Sequence, residues 1–314
     1  MRRSGRFLQA TSKNSAMWFK NLQIYRLPPK WLMPAGTLEE ILVKHPLQPC
    51  TGMSTTSRGW VSPRDDQQLV ASHGKQLLIA LGVEQKILPA AVINQTAKER
   101  AEKIEKQQGF KVGKKQMREL KEQITAELLP RAFSRRRSTR AWLSPSDGWL
   151  VVDAASAGKA EELTEQLRNA LGEFPISLLT TKLSPVTAMS GWLAGSDAPG
   201  RFIIDQDCEL RGADESKPTV RYVRHDLGGK DVVRHINDGK VATKLGLNWN
   251  ERISIVLHEQ HQVKRVRFMD IDKNREGDQS QNPEEQFDAD FALMTGEFSK
   301  LLSDLVEALG GEEK

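Results

Sequence analysis

Three short motifs in this chain could carry chemistry, and each falls short in spacing or in context. Leu257-His258-Glu259-Gln260-His261 places two imidazoles three residues apart. A zinc-binding HExxH needs them at i,i+4 on a helix so that both rings reach one metal. This segment reads instead as a solvated hairpin tip. Gly109-Phe110-Lys111-Val112-Gly113-Lys114-Lys115 superficially matches a phosphate-binding loop, with three residues between its glycines instead of four. A lysine also stands where Ser or Thr would hold magnesium. Asp288 and Asp290 form a carboxylate pair that could hold magnesium in a nuclease. They stand at the expected start of a helix, where aspartate is favoured by capping and by the helix dipole. No further carboxylate or lysine completes a nuclease set. The sequence therefore nominates no catalytic residue, no metal site and no cofactor, and the chain reads as a non-enzyme.

What remains is charge. Between Ala97 and Arg140, fourteen Lys/Arg face six Glu, a balance of +8 against +5 for all 314 residues. The first sixteen residues add +4, which leaves −7 for the remainder. Residues 270–314 alone carry thirteen acids against four bases. An acidic body with one basic segment fits a single electropositive surface and a polyanionic partner, most simply nucleic acid. No base-reading motif accompanies the charge, so the expected contact is with the phosphate backbone, independent of sequence. Lys114, Lys115, Arg118, Lys121, Arg135, Arg136, Arg137 and Arg140 are the candidate phosphate contacts. An RNA-binding or ribosome-associated module makes nearly the same demands and stays open as an alternative. A metal-dependent nuclease using Asp288 and Asp290 is the third class.

The elements that position these residues follow from pattern. Residues 18–27 alternate as a first strand, and Gln76–Leu81 reads as a short apolar one. Thr37 with Glu40 suggests a capped helix. A helix runs from Pro89 to Gln108, and a second carries Met117, Leu120, Ile124 and Leu128 on one face until Pro130 ends it. The pair forms a basic helical projection over 93–139, inserted in a body of 17–92 and 140–314. A hairpin spans 141–152, a helix 156–171, a second hairpin 252–268, and a long helix 288–309. Strands and helices mix without strict alternation, so the class is α+β. The seven tryptophans read as core residues. Cys50 and Cys208 have no metal spacing and read as free thiols of a cytoplasmic protein. No apolar run approaches the ~18 residues of a membrane span. Residues 1–16 lack a signal peptide's apolar segment and read as a disordered tail or an over-extended start.

Several runs taken in order carry a family resemblance. MWFKNLQIYRL from Met17, Glu84–Pro89, LLPRAFSR at Leu128–Arg135, GKVATKLGLNW at Gly239–Trp249 and FDADFALMTGE at Phe287–Glu297 together resemble the RdgC family of bacterial recombination-associated proteins. The resemblance implies a homodimer closed into a ring around single- or double-stranded DNA, nucleoid association, and antagonism of the recombinase RecA. It implies no catalytic residues. It places Arg131 and Phe133 where two subunits meet, with a second contact around Val220–Leu227 that includes Arg224.

Overall fold

A computed structural model describes residues 17–64, 66–195, 197–269 and 282–313. The expected tail, residues 1–16, lies outside the described residues. The chain divides into two compact units, Asn21–Thr180 and Thr181–Lys314, the latter joined by the N-terminal residues through Lys20. Both are mixed α/β, with antiparallel strands.

In the Asn21–Thr180 unit, the strands are β1 (Leu22–Arg26), β2 (Thr56–Val61), β3 (Val70–His73), β4 (Gln76–Ile87), β5 (Phe133–Ser144), β6 (Trp149–Asp153) and β7 (Ser177–Leu178). They run in the order β2-β4-β5-β6-β1, with β3 beside β4 and β7 beside β1. Alternation decides the faces. Ile79, Leu81 and Val83 of β4, Ala141 and Leu143 of β5, and Leu150 and Val152 of β6 share one buried cluster. Helices α1 (Ala35–Leu42) and α4 (Ala157–Leu171) close it with Leu38, Leu42, Ala160, Leu163 and Leu167.

Between β4 and β5 the chain builds α2 (Ala90–Gln108), α3 (Lys114–Leu128) and a 3-10 turn at Leu129–Arg131. The two strands stay paired to their ends, with Ile87 opposite Phe133. The helical hairpin thus emerges from the end of a β-ribbon. It has its own small core of Ala97, Ala101, Leu120 and Ile124, flanked by Ile93, Met117 and Leu128. Arg100 pairs with Glu127 across it at 2.7 Å.

The Thr181–Lys314 unit holds α5 (Pro185–Gly195), β8 (Phe202–Gly212), β9 (Thr219–Tyr222), α6 (Lys230–Asn237), β10 (Lys240–Trp249), β11 (Ile253–His258), β12 (Val263–Phe268) and α7 (Pro283–Ala308). Its strands run β12-β11-β10-β8-β9. Leu245, Leu247, Trp249, Ile253, Ile255 and Leu257 are fully buried on one face. Trp249 Nε1 donates to Asp304 of α7 at 2.8 Å. On the other face Glu209 accepts from Arg221 at 2.6 Å, Lys244 at 2.8 Å and Thr243 Oγ1 at 3.0 Å. Burial opposes the Glu209 charge, but these donors outweigh it and hold its carboxyl at about 2. His258 lies opposite Lys244. Burial, with Lys264 and Lys244 nearby, pushes its imidazole down to about 4.

Several sequence expectations change. The first strand covers only 22–26, whereas β4 and β5 reach twelve residues each. Residues 133–139, read with the projection, form the first half of β5. Strands β2 and β3 and helix α6 were not expected, although Val232, Val233 and Ile236 of α6 recur at helical spacing over its eight residues. Thr37 lies inside α1, which starts after Pro34. Its neighbour Glu39 accepts instead from the Leu69 and Val70 amides at 3.0 and 2.7 Å. Helix α7 begins five residues before Asp288, with Asn282 as its cap. The 141–152 hairpin and the 156–171 helix stand where expected. Trp142, Trp149 and Trp249 are buried, and both cysteines are free.

Two stability predictions follow from this packing. The 45–47 segment runs against β2, with Leu47 N–H donating to Trp60 O at 3.0 Å. A Cβ on Gly59 would lie 2.4 Å from the Leu47 nitrogen, whereas one on Gly113 meets nothing within 4 Å. Gly59→Ala should cost about 2 kcal/mol or more in urea unfolding, because backbone must move. Gly113→Ala should change little, and equal effects would contradict the packing. The second concerns acid. His258 titrates near about 4 folded against an ordinary 6.5, so the unfolded chain binds more protons between these values. Glu209, near 2 folded against 4.5, loses its contribution as pH falls through the lower window. The urea midpoint should therefore fall progressively from about pH 6.5 downward. His258→Gln should flatten the upper part of that profile and Glu209→Gln the lower. A midpoint constant between neutral pH and pH 4 in the wild type would refute this.

Candidate nucleic-acid interface

Helix α3 presents its cations by period. Lys114, Arg118 and Lys121 recur at steps of four and three, so they line one flank of the seam formed by Met117, Leu120, Ile124 and Leu128. Lys114, Lys115 and Arg118 are exposed and Lys121 is half-buried. Arg118 reaches Glu122 at 3.8 Å. Lys114 and Lys115 open the helix after Gly113, with no acid in the first turn and no side-chain cap. The unsatisfied amides there are the positive end of the helix dipole, where cations are disfavoured and anions favoured.

Strand β5 carries Arg135, Arg136 and Arg137 in succession, so neighbours point to opposite faces. Glu84, directly opposite on β4, accepts from Arg136 Nε at 2.5 Å and from the Cys50 amide at 3.1 Å. The Arg136 hydrogen bond is the largest influence on Glu84 and holds its carboxyl below the usual range. Glu162 of α4 accepts from Arg137 at 2.5 Å and from Arg58 at 2.6 Å. Burial raises the Glu162 carboxyl, but the two arginines bring it below its ordinary value. Arg135 is exposed and Arg140 half-buried. Lys114, Lys115, Lys121 and Arg135 have no ionic partner among the described residues. The eight nominated cations thus separate into some that are locally neutralised and some that are presented.

Phe133 opens β5 with 87% of its surface exposed, opposite the half-exposed Ile87. Arg131, two residues earlier, is exposed in the 3-10 turn. Arg224 lies in the other unit, exposed and left-handed at φ 53°, with its amide donating to Asp207 Oδ1 at 3.0 Å.

A second cationic surface escaped the sequence reading. In the Thr181–Lys314 unit, Arg211, Arg221, Lys244, Lys264, Arg265 and Arg267 lie on or beside the face carrying Glu209. Arg265 reaches Asp207 at 3.0 Å, and Arg211 pairs with Glu259. Lys264 and Arg267 have no ionic partner among the described residues. Arg224, Arg265 and Arg267 line a cleft of about 320 Å³ together with Gly246 and the acids Asp205 and Asp207. A side chain at Gly246 would press on the Asp207 carbonyl at 3.1 Å. The cations here come from four strands, and apart from the run Lys264-Arg265-Val266-Arg267 they are dispersed among acids and core residues along the chain. Only the period-2 register brings them together.

The three failed motifs stay apart from any metal geometry. No cluster of three His, Cys, Asp or Glu suited to a metal occurs among the described residues. His258 ends β11 beside Lys244, while His261 Nε2 bonds Thr181 Oγ1 at 2.7 Å. Asp288 and Asp290 lie two residues apart in the second turn of α7, about 200° around the helix, so they do not converge on one ion. Asp290 accepts from Gln286 at 3.0 Å. The Gly109–Gly113 segment joins two helices, without the strand that a phosphate loop follows. No helix among the described residues is long and apolar enough to cross a membrane.

Residues 17–312 match the family model described as "Putative exonuclease, RdgC". The chain is 53% identical over 299 residues to the Recombination-associated protein RdgC of Dechloromonas aromatica, covering 94% of this chain and 98% of that one. It is 52% identical over 296 residues to the protein of that name from Janthinobacterium sp. strain Marseille, covering 94% and 99%. For the Herminiimonas arsenicoxydans protein the identity is 51% over 297 residues, covering 95% and 99%. The match begins where the described structure begins and runs through both units: the chain belongs to the RdgC family.

Proposed function

We propose that this chain is a sequence-independent DNA-binding protein, acting on single and double strands, that takes part in recombination as a homodimer enclosing DNA. The observation that carries the reading is the start of α3. Two lysines occupy the positive end of a helix, with no acid in the first turn to offset them. Such placement is locally unfavourable, and a phosphate bound there relieves it. The unpaired Lys121 and Arg135 extend the same charge, and Arg118 and Arg140 flank it. Arg136 and Arg137 contribute to the field while anchored to Glu84 and Glu162. The cationic face bearing Lys264 and Arg267 offers a second track for the backbone. The relatives' names supply the link to recombination. Limiting RecA and residence on the nucleoid rest on the family resemblance alone, as does the ring. The action proposed is binding without catalysis.

Within this reading Arg131 and Phe133 form one subunit contact and Arg224 belongs to a second. Removing an exposed phenylalanine at a strand end costs the fold little, whereas the ring can fill a pocket on a partner.

Two experiments test the proposal. Binding to duplex DNA should weaken steeply with salt, by about 10³–10⁵-fold between ~50 and ~200 mM if 6–10 phosphates are contacted. Replacing Lys114, Lys115 and Lys121 with alanine should lower the log–log salt slope by about 3, equally for unrelated sequences. A flat salt response, or tighter binding to RNA of equal length, would overturn the reading. Phe133→Ala should weaken self-association by about 30-fold or more in sedimentation and speed loss of circular DNA. Its unfolding free energy should stay within about 0.5 kcal/mol of wild type. Unchanged self-association would remove Phe133 from the interface.

A further inference from the structure

Phe110 stands at the tip of the helical hairpin, 66% exposed, in a loop that is held in place. Gly109 closes α2 in the left-handed conformation at φ 79°. Gln108 Nε2 donates to the Phe110 carbonyl at 2.9 Å, and the Glu105 carboxylate accepts from the Val112 amide at 2.8 Å. Gln116 Nε2 reaches Gln108 Oε1 at 3.4 Å. With these bonds made, Val112 packs on the hairpin core and Phe110 does not. A loop with two apolar residues thus covers the smaller and presents the larger. The surroundings specify the partner's charge. From Lys106 to Arg118 the chain carries five cations and no acid.

We infer that Phe110 stacks on an unpaired base of single-stranded nucleic acid, while Lys111, Lys114 and Lys115 hold the adjoining phosphates. The inference rests on the DNA-binding reading and adds to it a residue that distinguishes strand state. An exposed aromatic ring among lysines matches the two things a single strand offers together, a free base face and a phosphate chain. A duplex keeps its base faces stacked inside and meets the same tip through charge alone. Stacking accepts every base, so the contact adds affinity without sequence preference.

The test compares wild type, Phe110→Ala and Phe110→Trp by fluorescence anisotropy on three probes. These are an oligothymidylate, an abasic strand of equal length, and a duplex. Phe110→Ala should bind the oligothymidylate about 5- to 150-fold more weakly, the range for loss of one stacked base. It should bind the abasic strand and the duplex as wild type does, with the same salt slope. Phe110→Trp should restore single-strand affinity. The inference fails if Phe110→Ala matches wild type on oligothymidylate, or if it loses equally on all three probes. A wild type that binds none of the probes is a separate result, because it removes the DNA-binding reading itself.

Discussion

A sheet can carry a row of arginines only if carboxylates are set among them. Directly paired positions on neighbouring strands lie about 5 Å apart, and like charges there repel. Strand β5 holds three arginines in succession, and the fold meets that load on both faces. Glu84 stands opposite Arg136 on one face, and Glu162 reaches down from α4 to Arg137 and Arg58 on the other. Glu209 does the same between Arg221 and Lys244. All three acids are nearly covered, so an unpaired charge there would be strongly destabilising. Their carboxyl groups stay ionised because the arginine and lysine donors outweigh the burial. The charged rows of each unit's sheet therefore depend on these acids.

That constraint explains what could and could not be read from the sequence. Helices were legible wherever an apolar stripe repeated every three to four residues, as in the hairpin seam and in α4. The first half of β5 was not, because Phe133 to Arg140 shows charge instead of alternating hydrophobicity. Its strand character comes from pairing with β4 and from Glu84 and Glu162, which lie 52 and 25 residues from their arginines. Strand β2 hid for a related reason. Gly59 looks like a turn residue, but it is required by the close pass of residues 45–47. The cationic face of the Thr181–Lys314 unit shows along the chain only as the short run Lys264–Arg267. Its members alternate with core residues such as Leu245 and Leu257, and their acids lie beside them. The body's net negative charge concealed a surface on which Lys264 and Arg267 have no ionic partner among the described residues.

The two kinds of cation divide the labour between folding and binding. Arg136 and Arg137 on β5 are structural first: removing either would leave Glu84 or Glu162 covered and short of a partner. Those on α3 belong to a hairpin with its own small core, where Ala97 and Ala101 allow the helices to approach closely. Lys114 and Lys115 contribute nothing to that core, and by their position they oppose the helix dipole. A local choice that weakens its own element, without a compensating contact, is the mark of a residue kept for a partner. By that criterion the proposed DNA-binding surface is centred on the hairpin and its approach to β5, with Arg136 and Arg137 adding positive charge. Charge changes on α3 should consequently act on binding independently of the fold. Changes at Arg136 or Arg137 on β5 cannot be separated from it, because each alters a buried carboxylate as well as the surface.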